Sequence, residues 1–219
     1  MNIIMMGAQG TGKGTVAGLL KESLNIPHIS TGEIFRKNIK EGTELGKIAT
    51  KYADEGKLVP DEVTNKMVKN RLNEQDCVNG FILDGYPRNL VQAEELDKIL
   101  EEKKAKVDLV VNLQTPTEEI IERVLARREC PKCKSVYNMI LNKPKVGEIC
   151  DKCGEKLIMR KDDTREKLQL RLDTFFKETK PVIDFYEQKG LVKNEEISVA
   201  INRLGADVAK ELVEYINKK

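Results

Sequence analysis

The stretch that most constrains this chain lies near its start. NIIMMGAQGTGKGT, residues 2–15, runs an apolar segment straight into a glycine-rich loop and on into helix-forming sequence. An apolar run without polar alternation suits a strand buried on both faces, as in a parallel sheet covered by helices. Gly7, Gly12 and Lys13 have the spacing of a phosphate loop. Such a loop turns backbone N–H groups inward, adds the positive end of a helix and supplies one mobile full charge. The usual pattern sets a metal-binding hydroxyl directly after the lysine. Here Gly14 fills that position and the hydroxyl arrives one residue later, on Thr15. The expected ligand is a nucleoside triphosphate.

Four further apolar runs follow: IPHIS (26–30), GFILD (80–84), VDLVVNL (107–113) and a weaker GLVKN (190–194). Helical signals lie between them at 13–24, at 117–128 behind Pro116, and at 164–187 with Pro181 as a break or kink. This alternation predicts an α/β fold, a P-loop doubly wound parallel five-stranded sheet. Two segments interrupt the rhythm. Residues 31–73 carry two or three helical patterns without a strand, which predicts a helical insertion, and 129–162 are punctuated by Cys, Pro and Gly as a separate small module.

Charge narrows the function classes. Lys plus Arg (38) nearly balances Asp plus Glu (36) over 219 residues, and the net +2 gives no field for holding nucleic acid or an acidic membrane. NIIMM is too short for a secretion signal and nothing later reaches the length of a membrane span, so the expected location is the cytoplasm. Asp84 closes the apolar run of GFILD, where a doubly wound sheet sets a metal-orienting carboxylate beside the phosphate loop. Arg88 follows at the same edge, aimed at phosphate. The only histidine, His28, sits in a strand-like run and is read as structural. CPKC and CDKC supply Cys130, Cys133, Cys150 and Cys153, the spacing of a closed four-thiolate zinc site; disulfides are the alternative, disfavoured in a reducing compartment. Cys77 stands outside the set. A zinc ribbon also occurs in nucleic-acid binders, but Tyr137 is the sole aromatic between these knuckles.

Together GAQGTGKGT, STGEIFR, GFILDGYPRN, ARRECPKC and RKDDTREKLQLRL resemble the adenylate kinase family, in its bacterial long-lid, zinc-containing form, in order from Met1 to about Gly190. GKGT is that family's own form of the loop. The resemblance implies transfer from Mg·ATP to AMP giving two ADP, with Mg2+ and structural zinc as metals and nucleotides as the only partners of a monomer. It implies a core of 1–29, 60–127 and 164–219, a nucleoside monophosphate-binding insertion of 30–59, and a lid of 128–163. Lys13, Arg88, Arg123, Arg160 and Arg171 would be catalytic. Gly10, Thr11, Gly12, Lys13, Gly14, Thr15, Arg123, Arg127, Val136, Tyr137 and Val199 would hold ATP. Thr31, Arg36, Lys57, Leu58, Val59, Gly85, Tyr86, Pro87, Arg88, Gln92, Arg160 and Arg171 would hold AMP, and Asp84 a water on magnesium. Arg123 and Arg127, four apart on an expected helix, would project from one face. Asp162 and Asp163 resemble hinge acids that orient arginines. The Gln92 amide would pair with the adenine edge and so separates AMP from the other monophosphates. Gln9 and Thr11 replace smaller or proline residues of the family, and little change is expected because the grip is by backbone. Two rivals are a regulatory nucleotide-binding protein and an RNA-associated zinc ribbon.

Overall fold

Ile3 and Met5 face one way from the first strand and Ile4 and Met6 the other, and both pairs are buried, each in a different core cluster. In the computed structural model, which describes residues 1–55, 57–160 and 162–218, seven strands are seen. They are β1 (Asn2–Met6), β2 (His28–Ser30), β3 (Phe81–Asp84), β4 (Leu109–Gln114), β5 (Arg127–Glu129), β6 (Val136–Asn138) and β7 (Val192–Glu196). Five form one sheet in the order β2-β3-β1-β4-β7, every pairing parallel, with Ile4 opposite both Leu83 and Val110. The weak GLVKN run forms an edge strand, as its polar content allows.

Nine helices complete the described chain: α1 (Lys13–Leu24), α2 (Thr31–Glu41), α3 (Glu44–Asp54), α4 (Asp61–Leu72), α5 (Leu90–Glu102), α6 (Thr117–Leu125), α7 (Arg165–Thr174), α8 (Lys180–Gln188) and α9 (Gly205–Asn217). Helix α1 packs beside α9 through Val16, Ala17, Leu20, Val208 and Leu212 on one face of the sheet. On the other, Leu96 and Ile99 of α5 meet Val182 and Tyr186 of α8. Burial on both faces explains why the strands read as continuous apolar runs.

Two expected helices end differently. The helix from Thr117 stops at Leu125, and Arg127 opens an antiparallel hairpin of β5 with β6, reached through a bond from Met139 N–H to Ala126 O at 2.9 Å. Arg123 and Arg127 therefore do not share a helix face. Strand pairing within the small module overrides the helical propensity of VLARR. The stretch 164–187 is broken by a π turn, Phe175–Thr179, which ends two residues before Pro181. Proline has no N–H for the carbonyl one turn back, and the widened turn accommodates that missing bond. Lys161, within RKDD, lies outside the described residues.

Candidate active site

Glycine opens the site. A Cβ on Gly7 would stand 2.3 Å from the Leu113 carbonyl oxygen, and Gly12, the residue before α1, has a φ of 93°. Helices α2, α5 and α7 are capped by Ser30, Asn89 and Thr164, whereas α1 has neither a side-chain cap nor an acidic residue in its first turn. Its N-terminus is left to attract an anion. Thr15 is exposed there, while Thr11 is buried and spends its hydroxyl on Ala8 O at 2.9 Å. Lys13 Nζ donates to Gly7 O and Ala8 O, both at 2.8 Å. Enclosure within the cleft pushes its ammonium down to about 8; Asp84 opposes that shift, and the charges of Arg88 and Arg127 add to it. Burial works to raise the Asp84 carboxyl, but His28 and Lys13 outweigh it and hold the group below its usual range. His28 Nε2 lies 3.5 Å from Asp84 Oδ2, beside this carboxylate but without a hydrogen bond to it.

Arginines gather around that floor. Arg88 reaches solvent along one side, yet enclosure by the cleft lowers its pKa, with Arg171 and Arg36 adding repulsion. Burial likewise lowers Arg36, and Arg160 is the next cause. Side chains from the helical insertion, the cysteine-bearing module and the sheet edge thus repel one another across one space. Arg88, Arg160, Arg171 and Arg127 are each steered by a partner. Arg88 Nε donates to Gly85 O at 2.9 Å, Arg160 Nε to Glu129 Oε2 at 2.6 Å, and Arg171 Nη2 to Asp162 Oδ2 at 2.6 Å. Arg127 donates Nε to Asp163 Oδ2 at 2.8 Å and Nη2 to Oδ1 of the same fully buried carboxylate. Burial works against the Arg127 charge, but those bonds prevail and raise its pKa. Asp162 and Asp163 do pair with arginines of the site. Gln9 is less passive than its backbone role predicts, because its Oε1 accepts from Arg171 Nη1 at 2.9 Å.

Beside β3, Thr31 Oγ1 donates to Gly85 O at 3.0 Å, and Pro87 is buried. Tyr86 is buried too, its hydroxyl donating to Asn65 Oδ1 at 2.9 Å. Lys57 is exposed beside Glu55 at 2.8 Å, and Leu58 and Val59 line a groove with Asp61 and Leu170. Gln92 is only 2 % exposed, and both ends of its amide are already engaged: Oε1 by Arg88 N–H and Nε2 by Asp61. Sequence reasoning missed Asp61, which reads as an ordinary acid at a helix start.

Across the loop, Arg123 is 6 % exposed and donates Nη2 to Glu119 Oε2 at 2.8 Å. The same carboxylate accepts the Ser198 hydroxyl and Val199 N–H. Val199, half exposed at 51 %, and the α6 arginine thus share one anchor. Glu119 and Glu129 gave no sequence signal beyond the (i, i+4) spacing of Glu119 with Arg123.

In the small module Cys130, Cys133, Cys150 and Cys153 bring their Sγ atoms within 4.8 Å of one another, with Cys130–Cys153 and Cys133–Cys150 at 3.4 Å. A tetrahedral zinc site with bonds of about 2.3 Å needs sulfurs roughly 3.8 Å apart, which these separations bracket. The donor set therefore fits a closed metal site. Hydrogen bonds with Ser135 push the Cys133 thiol down to about 6. The Tyr137 side chain turns into this cluster, its hydroxyl accepting from Asp151 N–H at 2.8 Å, while Val136 beside it is exposed. Cys77 lies apart, 3.0 Å from Arg71 Nη1, with burial pushing its thiol up to about 11.

A parallel sheet with a glycine loop after its central strand, an uncapped helix, a lysine at the helix entry and converging arginines defines a P-loop phosphotransferase. The family model for adenylate kinase matches residues 5–191. The chain is 48 % identical over 213 residues to the adenylate kinase of Caldanaerobacter subterraneus subsp. tengcongensis, covering 97 % of this chain and 96 % of that one. It is 51 % identical over 190 residues to that of Acetivibrio thermocellus (87 % and 88 % covered), and 48 % over 217 residues to that of Staphylococcus aureus (99 % of each). The chain belongs to the adenylate kinase family. Among the described residues, no helix is long and apolar enough to cross a membrane.

Proposed function

We propose that this enzyme moves the terminal phosphoryl group of Mg·ATP to AMP, reversibly, giving two ADP. The observation that carries the reading is the gathering of cations in one cleft: burial lowers the pKa of Arg88 and of Arg36, and like charges add to it, Arg171 and Arg36 at Arg88 and Arg160 at Arg36. A transferring phosphoryl group, with its charge spread over equatorial oxygens, turns this crowd of like charges from a cost into stabilisation.

An AMP phosphate oxygen attacks the terminal phosphorus, the bond to the bridging oxygen breaks, and ADP leaves with the electron pair. The attacking dianion needs no general base, which agrees with a cleft whose one histidine, His28, is largely buried beside Asp84. Backbone N–H groups of 10–15 cradle the donor phosphates, and Lys13 swings from the Gly7 and Ala8 carbonyls to meet them. Arg36 and Arg88 hold the AMP phosphate beside Thr31 and Gly85, and Arg160 and Arg171 meet the transferring group from both sides. Arg123, Arg127, Val136 and Val199 take the donor nucleotide, and Lys57 to Val59 with Gln92 take the AMP base. The ionised Asp84 would hold a water of the magnesium that accompanies the nucleotide, an ion that would supply charge neutralisation at the donor phosphates. Residues 30–59 act as the AMP-binding insertion and 128–163 as a lid that excludes water as a competing acceptor. Cys130, Cys133, Cys150 and Cys153 hold zinc, which replaces a large core in so small a module.

The test is product formation from Mg·ATP with AMP, CMP, UMP and GMP offered separately. Turnover confined to AMP is expected. Turnover of another monophosphate in preference keeps the mechanism and changes the acceptor. Tight ATP binding without turnover of any overturns the proposal.

A further inference from the structure

The Gln92 amide is held in one orientation from two sides. Its Oε1 accepts the Arg88 backbone N–H at 2.8 Å, and its Nε2 donates to Asp61 Oδ1 at 2.7 Å. A backbone N–H only donates and a carboxylate only accepts, so an amide turned by half a rotation would face donor with donor and acceptor with acceptor. Asp61 is fixed in turn by Asn89, whose Nδ2 lies 2.9 Å and 3.1 Å from its two oxygens. Asn89 Oδ1 accepts from Gln92 N–H at 2.9 Å, closing a ring of Asp61, Asn89 and Gln92 across the start of α4 and the start of α5. Asp61 and the exposed Glu62 both stand in the first turn of α4, where acids favour the N-terminus, but α4 has no side-chain cap hydrogen bond, and Asp61 directs its oxygens at Asn89 and Gln92. Capping therefore does not account for the inward turn of Asp61.

Two capacities of the amide stay open, the second lone pair of Oε1 and the second hydrogen of Nε2. They form an acceptor beside a donor in fixed order. A 6-aminopurine presents the complement, a donor at its exocyclic nitrogen and an acceptor at N1. A 6-oxopurine presents the reverse. We propose that Asp61 is a specificity-determining positioning residue: by fixing which end of the Gln92 amide donates, it makes the acceptor site read adenine and reject hypoxanthine or guanine. This inference rests on AMP being the phosphoryl acceptor and on Gln92 reading its base.

The experiment measures initial rates with Mg·ATP and either AMP or IMP for the wild-type enzyme, Asp61→Leu and Asp61→Asn, with melting temperatures alongside. Leucine removes the acceptor at similar size. The AMP KM is expected to rise about tenfold with kcat falling less, and the AMP-to-IMP ratio of kcat/KM to drop by about tenfold, as for loss of a hydrogen bond to a charged group. Asparagine still offers Gln92 a carbonyl and is expected to restore most of the ratio. In a Gln92→Leu background, Asp61→Leu should reduce the ratio no further. If leucine prevents folding, Asp61→Ser, too short to reach Gln92, repeats the test. An unchanged ratio in a folded Leu or Ser variant overturns the inference while leaving AMP as the acceptor. Equal losses for AMP and IMP that track the melting temperature assign Asp61 a structural role and overturn it as well. A wild-type enzyme that turns over no AMP overturns both readings.

Discussion

Lys13 carries the sharpest consequence at the scale of single residues. Its ammonium titrates at about 8, chiefly because the cleft removes water from around it. In the proposed mechanism the charged form holds phosphate, so donor binding should be full below that value and weaken as pH rises through it. In a pH series, kcat/KM for ATP should fall above pH 8 by up to tenfold per unit, while kcat, read on an enzyme already holding a polyanion that raises this pKa, stays level further. A limb unchanged in Lys13→Met would assign the titration elsewhere; that variant should also lose a hundredfold or more in kcat, roughly the effect of one oxyanion-stabilising donor. Lysine at this spacing was legible because the loop's chemistry is local in sequence. The contacts of Gln92 and Gln9 were not: Asp61 lies 31 residues from Gln92, and Arg171 lies 162 from Gln9.

At the scale of elements, the junction of α6 with β5 decides how an arginine is presented. The helix ends at Leu125 because the hairpin captures Arg127, and Asp163, wholly buried, then takes that guanidinium. Asp163→Asn leaves the half-buried Arg127 charge without its counter-ion. It should cost about 2 kcal/mol in urea denaturation, less than the full penalty for a buried pair because Arg127 keeps some solvent, and it should raise the ATP KM. Unchanged stability together with an unchanged KM would sink this account. The module beyond has a core of little more than Cys130, Tyr137, Cys150 and Leu157. Cys130→Ser, or removal of metal by a chelator, should therefore lower the melting temperature by several degrees and abolish stoichiometric zinc, with far less effect on kcat at low temperature. Equal melting temperatures with and without metal would contradict it. The paired knuckles were legible from spacing alone, whereas the helix end was not, since VLARR favours a helix until the hairpin competes for its backbone.

At the scale of the whole molecule, the cleft is where separate parts of the chain meet as like charges. Arg36 from α2 and Arg88 beyond β3 have their pKa lowered first by burial and then by like charge, Arg160 acting on Arg36, and Arg36 and Arg171 of α7 on Arg88. An anion common to all of them should tighten the entire protein. Saturating ADP, about a hundred times its Kd, should add about 2.7 kcal/mol of stability by mass action, seen as a rise in melting temperature. Arg88→Ala should shrink that rise markedly without unfolding the free enzyme; an undiminished rise would remove Arg88 from the site. The sequence by itself determined the parallel α/β sheet, through apolar runs that need cover on both faces, and determined the phosphate loop and the cysteine set, because each is a short pattern whose chemistry lies within a few residues. Only the tertiary structure decided which carboxylate steers which arginine, where α6 yields to β5, and that Asp61 holds Gln92. Those outcomes depend on side chains far apart in sequence competing for the same hydrogen bonds, a competition that exists only once the chain is packed.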